Sequence, residues 1–592
     1  MLLRSWLRLF CMLSLCIFVF FGCQSSDDDD NDDANNDDDA ADDDTADDNN
    51  GFPFDDIVVS WETCSLFEGL NDGRAECAAV EMPFDWFEPG EKTFTVGVKR
   101  LLSNHQPSEA QLWLLHGGPG GSGTIGLTYF MDSIQGLYPE LDVYTLDPRG
   151  AGYSEYLGCP DQEDAHSSNG DYIDSGELDD CIEYLTQTYG DDLAVFNTTN
   201  PAIDLAALID RTREENKRVI VWGGSGGTFW GQRYLQFFPD QADGMVFEGN
   251  VPPAFSLVFQ DEYADFATSE ILRLCSEDAF CSAKLPDPEG TMRELWRKMD
   301  EENHCAETGY TSLLTKQVID QLVYYWPYHD MVPALIYRLD RCNADDAEAV
   351  VNLFYAIFGG GKGAGVKADD WSIDQLSFSD VLFFNETFSE LWDYPEFSSN
   401  DDLLAYLDEV YLDTLIGYGK GYDRNDYYLE WPRYTDPYDD TWPVTNVPML
   451  VLQGRLDPAT PYDFAVELRD NYTAPHQNFV EFAYAAHNVS GGTPLSNDEN
   501  AEHCSDRLFV DFMRDPQAEL DLSCVDQVMP PDFEGLAYAP YFFGTPDYWE
   551  NPTKRSDPAS NLPSLPPQLR QIQREIEHGF WARYSLRASN KQ

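Results

Sequence analysis

Basic residues are scarce in this chain. Its 592 residues include 36 Lys and Arg against 107 Asp and Glu, and only 11 of the 36 are Lys. The formal net charge of −71 excludes a nucleic-acid binder that works by neutralising phosphates. It equally argues against adhesion to anionic lipid headgroups through basic patches. The apolar run Leu9 to Phe21 falls short of the roughly 20 residues that a membrane-spanning helix needs. The 13 cysteines form no CxxC pair and no His-Cys cluster, so neither structural zinc nor another metal is expected. What the chain does have is 43% hydrophobic and 14% aromatic residues, enough for a large core and incompatible with wholesale disorder.

The apolar run, preceded by Arg4 and Arg8, has the length of a signal-peptide core, and export follows. Phe20-Phe21-Gly22-Cys23 resembles the bacterial lipobox, which makes Cys23 a lipidation candidate and residues 1–23 a signal segment. An ordinary cleaved secretory signal is the alternative. Residues 24–50 read as a self-repelling tether, because 14 Asp fall between positions 27 and 48 with almost nothing apolar. The rest of the chain remains strongly acidic and Lys-poor, which suits a protein kept soluble in salty water or simply an exported enzyme of low isoelectric point. Setting aside Cys11, Cys16 and Cys23 leaves ten cysteines, an even number consistent with disulfides. The simplest pairing joins neighbours: Cys64 with Cys77, Cys159 with Cys181, Cys275 with Cys281, Cys305 with Cys342, and Cys504 with Cys524. Spacing alone does not fix it.

Three apolar segments each run into a loop rich in Gly or Asp. Gln111–Leu115 enters His116-Gly117-Gly118-Pro119-Gly120-Gly121, Val143–Leu146 enters Asp147-Pro148-Arg149-Gly150, and Arg218–Trp222 enters Gly223-Gly224-Ser225-Gly226-Gly227. Interleaved helical segments such as Asp204–Glu215 predict a mostly parallel sheet with helices on both faces. From about 251 to 440 the pattern turns helical, aromatic and acidic, with segments such as Leu322–His329. Strand signals return at Met449–Leu452 and Phe479–Phe482. The prediction is an α/β core over 51–250 and 441–530, a large inserted helical cap over 251–440, and an extension over 531–592.

Gly223-x-Ser225-x-Gly227 has the pattern of a nucleophile elbow, where serine occupies a strained strand-to-helix turn. The run Val219–Trp222 enters it and a predicted helix, Thr228–Phe238, leaves it, so Ser225 is the candidate nucleophile. Asp457, after the strand Met449–Leu452, is the candidate acid. His487, after Phe479–Phe482, is the candidate base; His476 precedes that strand and His503 lies far beyond it. Gly118 and Gly226 are placed to offer oxyanion N–H groups. No Lys-Ser/Thr follows the glycine-rich loop, which argues against a phosphate cradle, and nothing in these motifs calls for a cofactor.

Together His116 to Gly123, Asp147-Pro148-Arg149-Gly150, Trp222-Gly223-Gly224-Ser225, Gly454-x-x-Asp457-Pro458-x-Thr460-Pro461 and His487 resemble the exported prolyl and tripeptidyl aminopeptidase family of α/β-hydrolases. The Cys77–Trp86 segment, Thr198-Thr199-Asn200 with Asp204, and the Cys504 to Cys524 spacing resemble it too. The resemblance implies an α/β-hydrolase fold and release of short units from free N-termini of peptide substrates. Where that family usually has an aromatic residue after the nucleophile, this chain has Gly226. An aminopeptidase must discriminate a free α-ammonium group, and a carboxylate in the pocket is the simplest way to do so, since burying an unpaired ammonium is costly. Glu248, ending the apolar strand Met245–Phe247, is the candidate, with Asp265 or Asp380 as substitutes. A carboxylesterase or acylamide hydrolase would use the same triad. A silent surface-binding lipoprotein is disfavoured, because Ser225, Asp457 and His487 are all present. Nucleic acid is not an expected partner, and membrane contact is expected only through a lipid on Cys23.

Overall fold

The computed structural model describes residues 51–550 other than 165–166, 168–172, 174–175, 359–366, 369–370, 393–396, 398, 418–424, 426 and 499–500. The predicted signal segment with Cys23, the tether up to residue 50 and the extension beyond 550 lie outside these residues.

A nine-stranded sheet forms the centre. Its strands are β1 (Glu62–Cys64), β2 (Ala75–Pro83), β3 (Thr93–Leu101), β4 (Ala110–Leu115), β5 (Leu141–Leu146), β6 (Arg218–Gly224), β7 (Gly244–Glu248), β8 (Met449–Gly454) and β9 (Gln477–Phe482). In space they run β1-β2-β3-β5-β4-β6-β7-β8-β9. The pairs β1–β2, β2–β3 and β3–β5 are antiparallel, and every pair from β5–β4 through β8–β9 is parallel. This is the α/β-hydrolase arrangement.

The sheet is two-sided because its apolar strands alternate their side chains. Leu112, Leu114, Ile220, Trp222, Val246, Leu450 and Leu452 face one core with helix α1 (Thr128–Leu137) and the late helix Cys504–Arg514. Trp113, Leu115, Val219, Val221, Met245, Phe247 and Val451 face the other, with α2 (Thr199–Thr212) and α3 (Gly226–Phe237). Such strands, apolar on both faces, are the kind a parallel sheet buries. The antiparallel β2 is not legible in the same way. Its glutamates at 76 and 81 interrupt the apolar run that holds buried Ala78, Val80 and Met82, one strand in from the edge of the sheet.

The described residues between β7 and β8 divide between two cores. Helices α4 (Gln260–Glu277), α5 (Pro288–Glu302), α6 (Ser312–Leu322), α7 (Val332–Arg341) and α8 (Ala344–Phe358) contribute to a separate cluster. Phe533, Phe542, Phe543, Tyr548 and Trp549 of the C-terminal extension join it, as do Leu456 and Ala486. Helix α9 (Asp380–Glu390) instead packs into the main core through Val381, Leu382, Phe384 and Phe388. The predicted helical segment Leu322–His329 is not one helix. Helix α6 stops at Leu322, and a short 3-10 turn, Tyr328–Met331, begins only after Pro327, which has no N–H to continue a helix.

Five disulfides join the neighbouring cysteines: 64–77, 159–181, 275–281, 305–342 and 504–524. Among the described residues no helix is long and apolar enough to cross a membrane.

Candidate active site

Ser225 sits between β6 and α3 with φ 55° and ψ −128°, a sparsely populated conformation for a non-glycine residue that the tight strand-to-helix turn imposes here. Its flanking glycines are sterically required. A Cβ on Gly223 would lie 2.4 Å from the carbonyl oxygen of Gly227, and one on Gly227 would lie 2.3 Å from that of Leu115. The Ser225 N–H donates to the carbonyl oxygen of Glu248 at 2.9 Å, tying the turn to the end of β7.

The loop after β4 packs on this turn. A Cβ on Gly226 would meet the main chain of Gly118 at 3.1 Å, so the two glycines expected to supply oxyanion donors are in contact. Gly118 has φ 122°. The far end of the loop is held by buried Asp147, which accepts from Ser122 Oγ at 2.6 Å, Thr124 N at 2.9 Å, Thr124 Oγ1 at 2.7 Å and Tyr153 N at 2.8 Å. His116 packs beneath it, where a Cβ on Gly126 would meet its ring at 2.6 Å, and burial lowers its pKa. Arg149 belongs to a different network. Its guanidinium pairs with Asp204 at 2.7 Å, and Asp204 also accepts from the Trp86 indole at 2.7 Å, joining three of the quoted motifs inside the core.

The Asp457 carboxylate holds the imidazole of His487, with Nδ1 2.9 Å from each oxygen. Asp457 is itself fixed by the N–H groups of Ala459 and Thr460, both at 2.8 Å, and by the Thr460 hydroxyl at 2.7 Å. Burial lowers the His487 pKa, but the Asp457 charge and hydrogen bond and the Glu248 charge outweigh it, so the net shift is upward. Tyr324 stands edge-on to the imidazole, with ring centroids 5.6 Å apart.

Ser225, His487, Gly118, Gly226 and Glu248 all line one cavity of about 810 Å³. Its walls come from the insertion (Phe255, Leu257, Tyr324, Phe378, Phe383), from α1 and from the loop after His487. Glu248 is buried, one carboxylate oxygen accepts from the Ser490 N–H at 2.7 Å, and burial raises its pKa to about 7 against the pull of Ser490 and His487. Neither Asp265 nor Asp380 is in the lining. Asp265 accepts from the N–H groups of Leu415 and Ile416 instead. The reverse holds for His503, which sequence distance had set aside. It lines the cavity, packs on Trp326 and accepts from Thr493 N at 3.1 Å. Thr460 stood in a quoted motif without a role. Its contact with Asp457 comes from the turn after Pro458, which residue spacing does not reveal.

Residues 112–300 match the alpha/beta hydrolase fold family and residues 427–524 match the TAP-like protein family. A tripeptidyl aminopeptidase of Streptomyces coelicolor is 29% identical over 212 residues, covering 33% of this chain and 38% of that protein. The serine protease Hip1 of Mycobacterium tuberculosis is 24% identical over 250 residues, 38% of this chain and 46% of its own. The chain thus spans under half the length of these relatives. Proline iminopeptidase of Mycobacterium smegmatis, a solved structure, is 14% identical with a TM-score of 0.32, covering 74% of this chain and 98% of its own. The family-model and sequence matches agree with the motif-level resemblance.

Proposed function

We propose that this α/β-hydrolase, similar in its motifs and matches to the prolyl and tripeptidyl aminopeptidases, is an exported serine exopeptidase that removes short units from free peptide N-termini. The observation that carries the reading is that His487, held by Asp457 at 2.9 Å, lines the same cavity as Ser225. In the reaction His487 takes the Ser225 hydroxyl proton as the oxygen attacks the substrate carbonyl. Asp457 fixes the proton on Nδ1 and stabilises the imidazolium. The N–H groups of Gly118 and Gly226 receive the oxyanion. His487 then returns its proton to the leaving nitrogen, and water hydrolyses the acyl-enzyme.

The carboxylates Glu68, Glu248 and Asp506 line the cavity, and Glu68 and Asp506 supply charge for an α-ammonium group, while the insertion encloses it and favours chain ends over chain middles. The disulfides fit an oxidising compartment, and a lipid on Cys23 would anchor the enzyme at the cell envelope.

A fluorophosphonate probe should label Ser225, and Ser225→Ala should abolish labelling and turnover. Chromogenic substrates of one to three residues should react at least about 100-fold faster with free than with acetylated N-termini, equivalent to about 2.7 kcal/mol. Equal rates on both, or good rates only on simple esters, would move the assignment to a carboxylesterase.

A further inference from the structure

Strand β7 ends at Glu248, and the three residues Glu248-Gly249-Asn250 touch the nucleophile, base and acid loops before the chain enters the insertion. The Glu248 carbonyl oxygen accepts from Ser225 N at 2.9 Å, while its Oε2 accepts at 2.7 Å from the N–H of Ser490, three residues past His487. Gly249 has φ 62°, and a Cβ there would lie 2.8 Å from His487 Cε1 and 3.0 Å from Nδ1. Only glycine lets the main chain support the imidazole at that distance. Asn250 Nδ2 donates to the Leu452 carbonyl at 2.8 Å and to Gln453 Oε1 at 3.0 Å, and the Asn250 N–H donates to the same Oε1 at 3.1 Å. Gln453 Nε2 in turn donates to Asp457 Oδ2 at 3.3 Å and to the Thr460 carbonyl at 2.9 Å.

We infer that Glu248-Gly249-Asn250 is a positioning strap that sets the mutual register of Ser225, His487 and Asp457, with Glu248 acting on the base loop and not on the substrate. The inference rests on the serine-hydrolase reading and goes beyond it, because it gives Glu248 a role other than ammonium recognition. The base loop is gripped from two sides. Ser490 N–H goes to Glu248, and Gly491 N–H goes to Asp506 Oδ1 at 3.0 Å. The titratable groups facing Glu248 are His487 and Asp506: the first favours its ionised form and the second opposes it. The strap runs directly into Val251, which lines the cavity, so the same three residues fix where the insertion leaves the sheet.

The test uses the purified full chain carrying Glu248→Ala, Glu248→Gln or Asn250→Ala. It compares kcat and KM on free-N-terminus substrates, the rate of labelling by a small fluorophosphonate, which has no ammonium group, and the melting temperature. A misplaced base slows both reactions, so Glu248→Ala and Asn250→Ala should each lose about 10- to 100-fold in kcat and in labelling rate with KM nearly unchanged. Glu248→Gln keeps an acceptor for Ser490 N–H and should recover most of the rate. Its acid limb should move to lower pH, because the imidazole loses the Glu248 charge that raises its pKa. A rise in KM with kcat and labelling intact would make Glu248 an ammonium reader and overturn the strap, as would wild-type behaviour in all three variants. If Glu248→Ala does not fold, wild-type kcat and labelling rate in Asn250→Ala overturn it. The underlying reading fails separately, if the wild type resists labelling or Ser225→Ala still turns over.

Discussion

Replacing Asp457 by Asn changes one atom and should disable the base without disturbing the cavity. Asp457 collects five donors: His487 Nδ1, the N–H groups of Ala459 and Thr460, the Thr460 hydroxyl and the Gln453 amide. The two main-chain N–H groups point at Oδ1 and would select the carbonyl end of an asparagine there. The new NH2 then takes the place of Oδ2 and faces both the Gln453 amide and the imidazole, which lies 2.9 Å from that oxygen. A donor now stands in place of Oδ2, and Oδ1, also 2.9 Å from Nδ1, already accepts two main-chain N–H groups, so the imidazole favours the tautomer with its proton on Nε2, the atom that must accept the Ser225 proton. The expected loss is about 10⁴-fold in kcat, or about 5 kcal/mol of barrier, with KM little changed. The imidazole also loses the Asp457 charge, so its pKa falls and the residual acid limb shifts to lower pH. Steady-state amide hydrolysis and fluorophosphonate labelling, each followed against pH, measure both effects. A loss below about tenfold in a normally folded variant would mean that Asp457 does not set the tautomer.

Thr460→Val removes a 2.7 Å hydrogen bond to the buried carboxylate at nearly constant volume. A hydrogen bond to a charged group is worth about 1.5–3 kcal/mol, so kcat should drop about 10- to 100-fold, and Thr460→Ser should restore most of it. Arg233 is buried among Glu390 at 3.3 Å, Asp436 at 2.9 Å and Asp439 at 3.2 Å, bridging α3 to α9 and to the segment before β8. Burial, with the neighbouring carboxylates, raises Asp439 to about 9 and pushes Glu386 and Glu390 upward. Carboxyl groups with raised folded-state pKa values lose their stabilising contribution as pH rises through those values. The melting temperature should therefore fall between neutrality and about pH 9, and fall less in Asp439→Asn. The acidic body should keep or gain thermal stability as NaCl rises to molar concentration, since screening relieves its self-repulsion; a steady decline would contradict this.

The parallel half of the fold is legible because burial on both faces makes its strands continuously apolar, and because each ends in a loop whose glycines or aspartate have few other uses. Ser225, Asp457 and His487 could be nominated from that pattern alone. The antiparallel edge is hidden by the charges on β2. The division of the insertion is hidden for another reason: an acidic, aromatic helix does not announce which core it joins. Helix α9 enters the sheet's core through Phe384 and Phe388, while α7 and α8 share a cluster with Phe542 and Trp549 from the far end of the chain. His503 and Thr460 were out of reach because their roles come from where loops fold back, not from spacing.

The placement of the candidate acid and base after the last two strands of the sheet sets a timetable for biosynthesis. Ser225 emerges with β6, but β8 and β9 follow only after the whole insertion has been made. On the proposed mechanism, a partly made or partly translocated chain carries a nucleophile with no base to activate it and is inert toward its neighbours. The disulfides keep the opposite schedule. Each closes a loop of 6 to 37 residues, so every pair can form soon after its second cysteine appears. On that mechanism hydrolytic capacity arises only once β8 has paired with β7 and β9 with β8, and a truncated or stalled product stays latent.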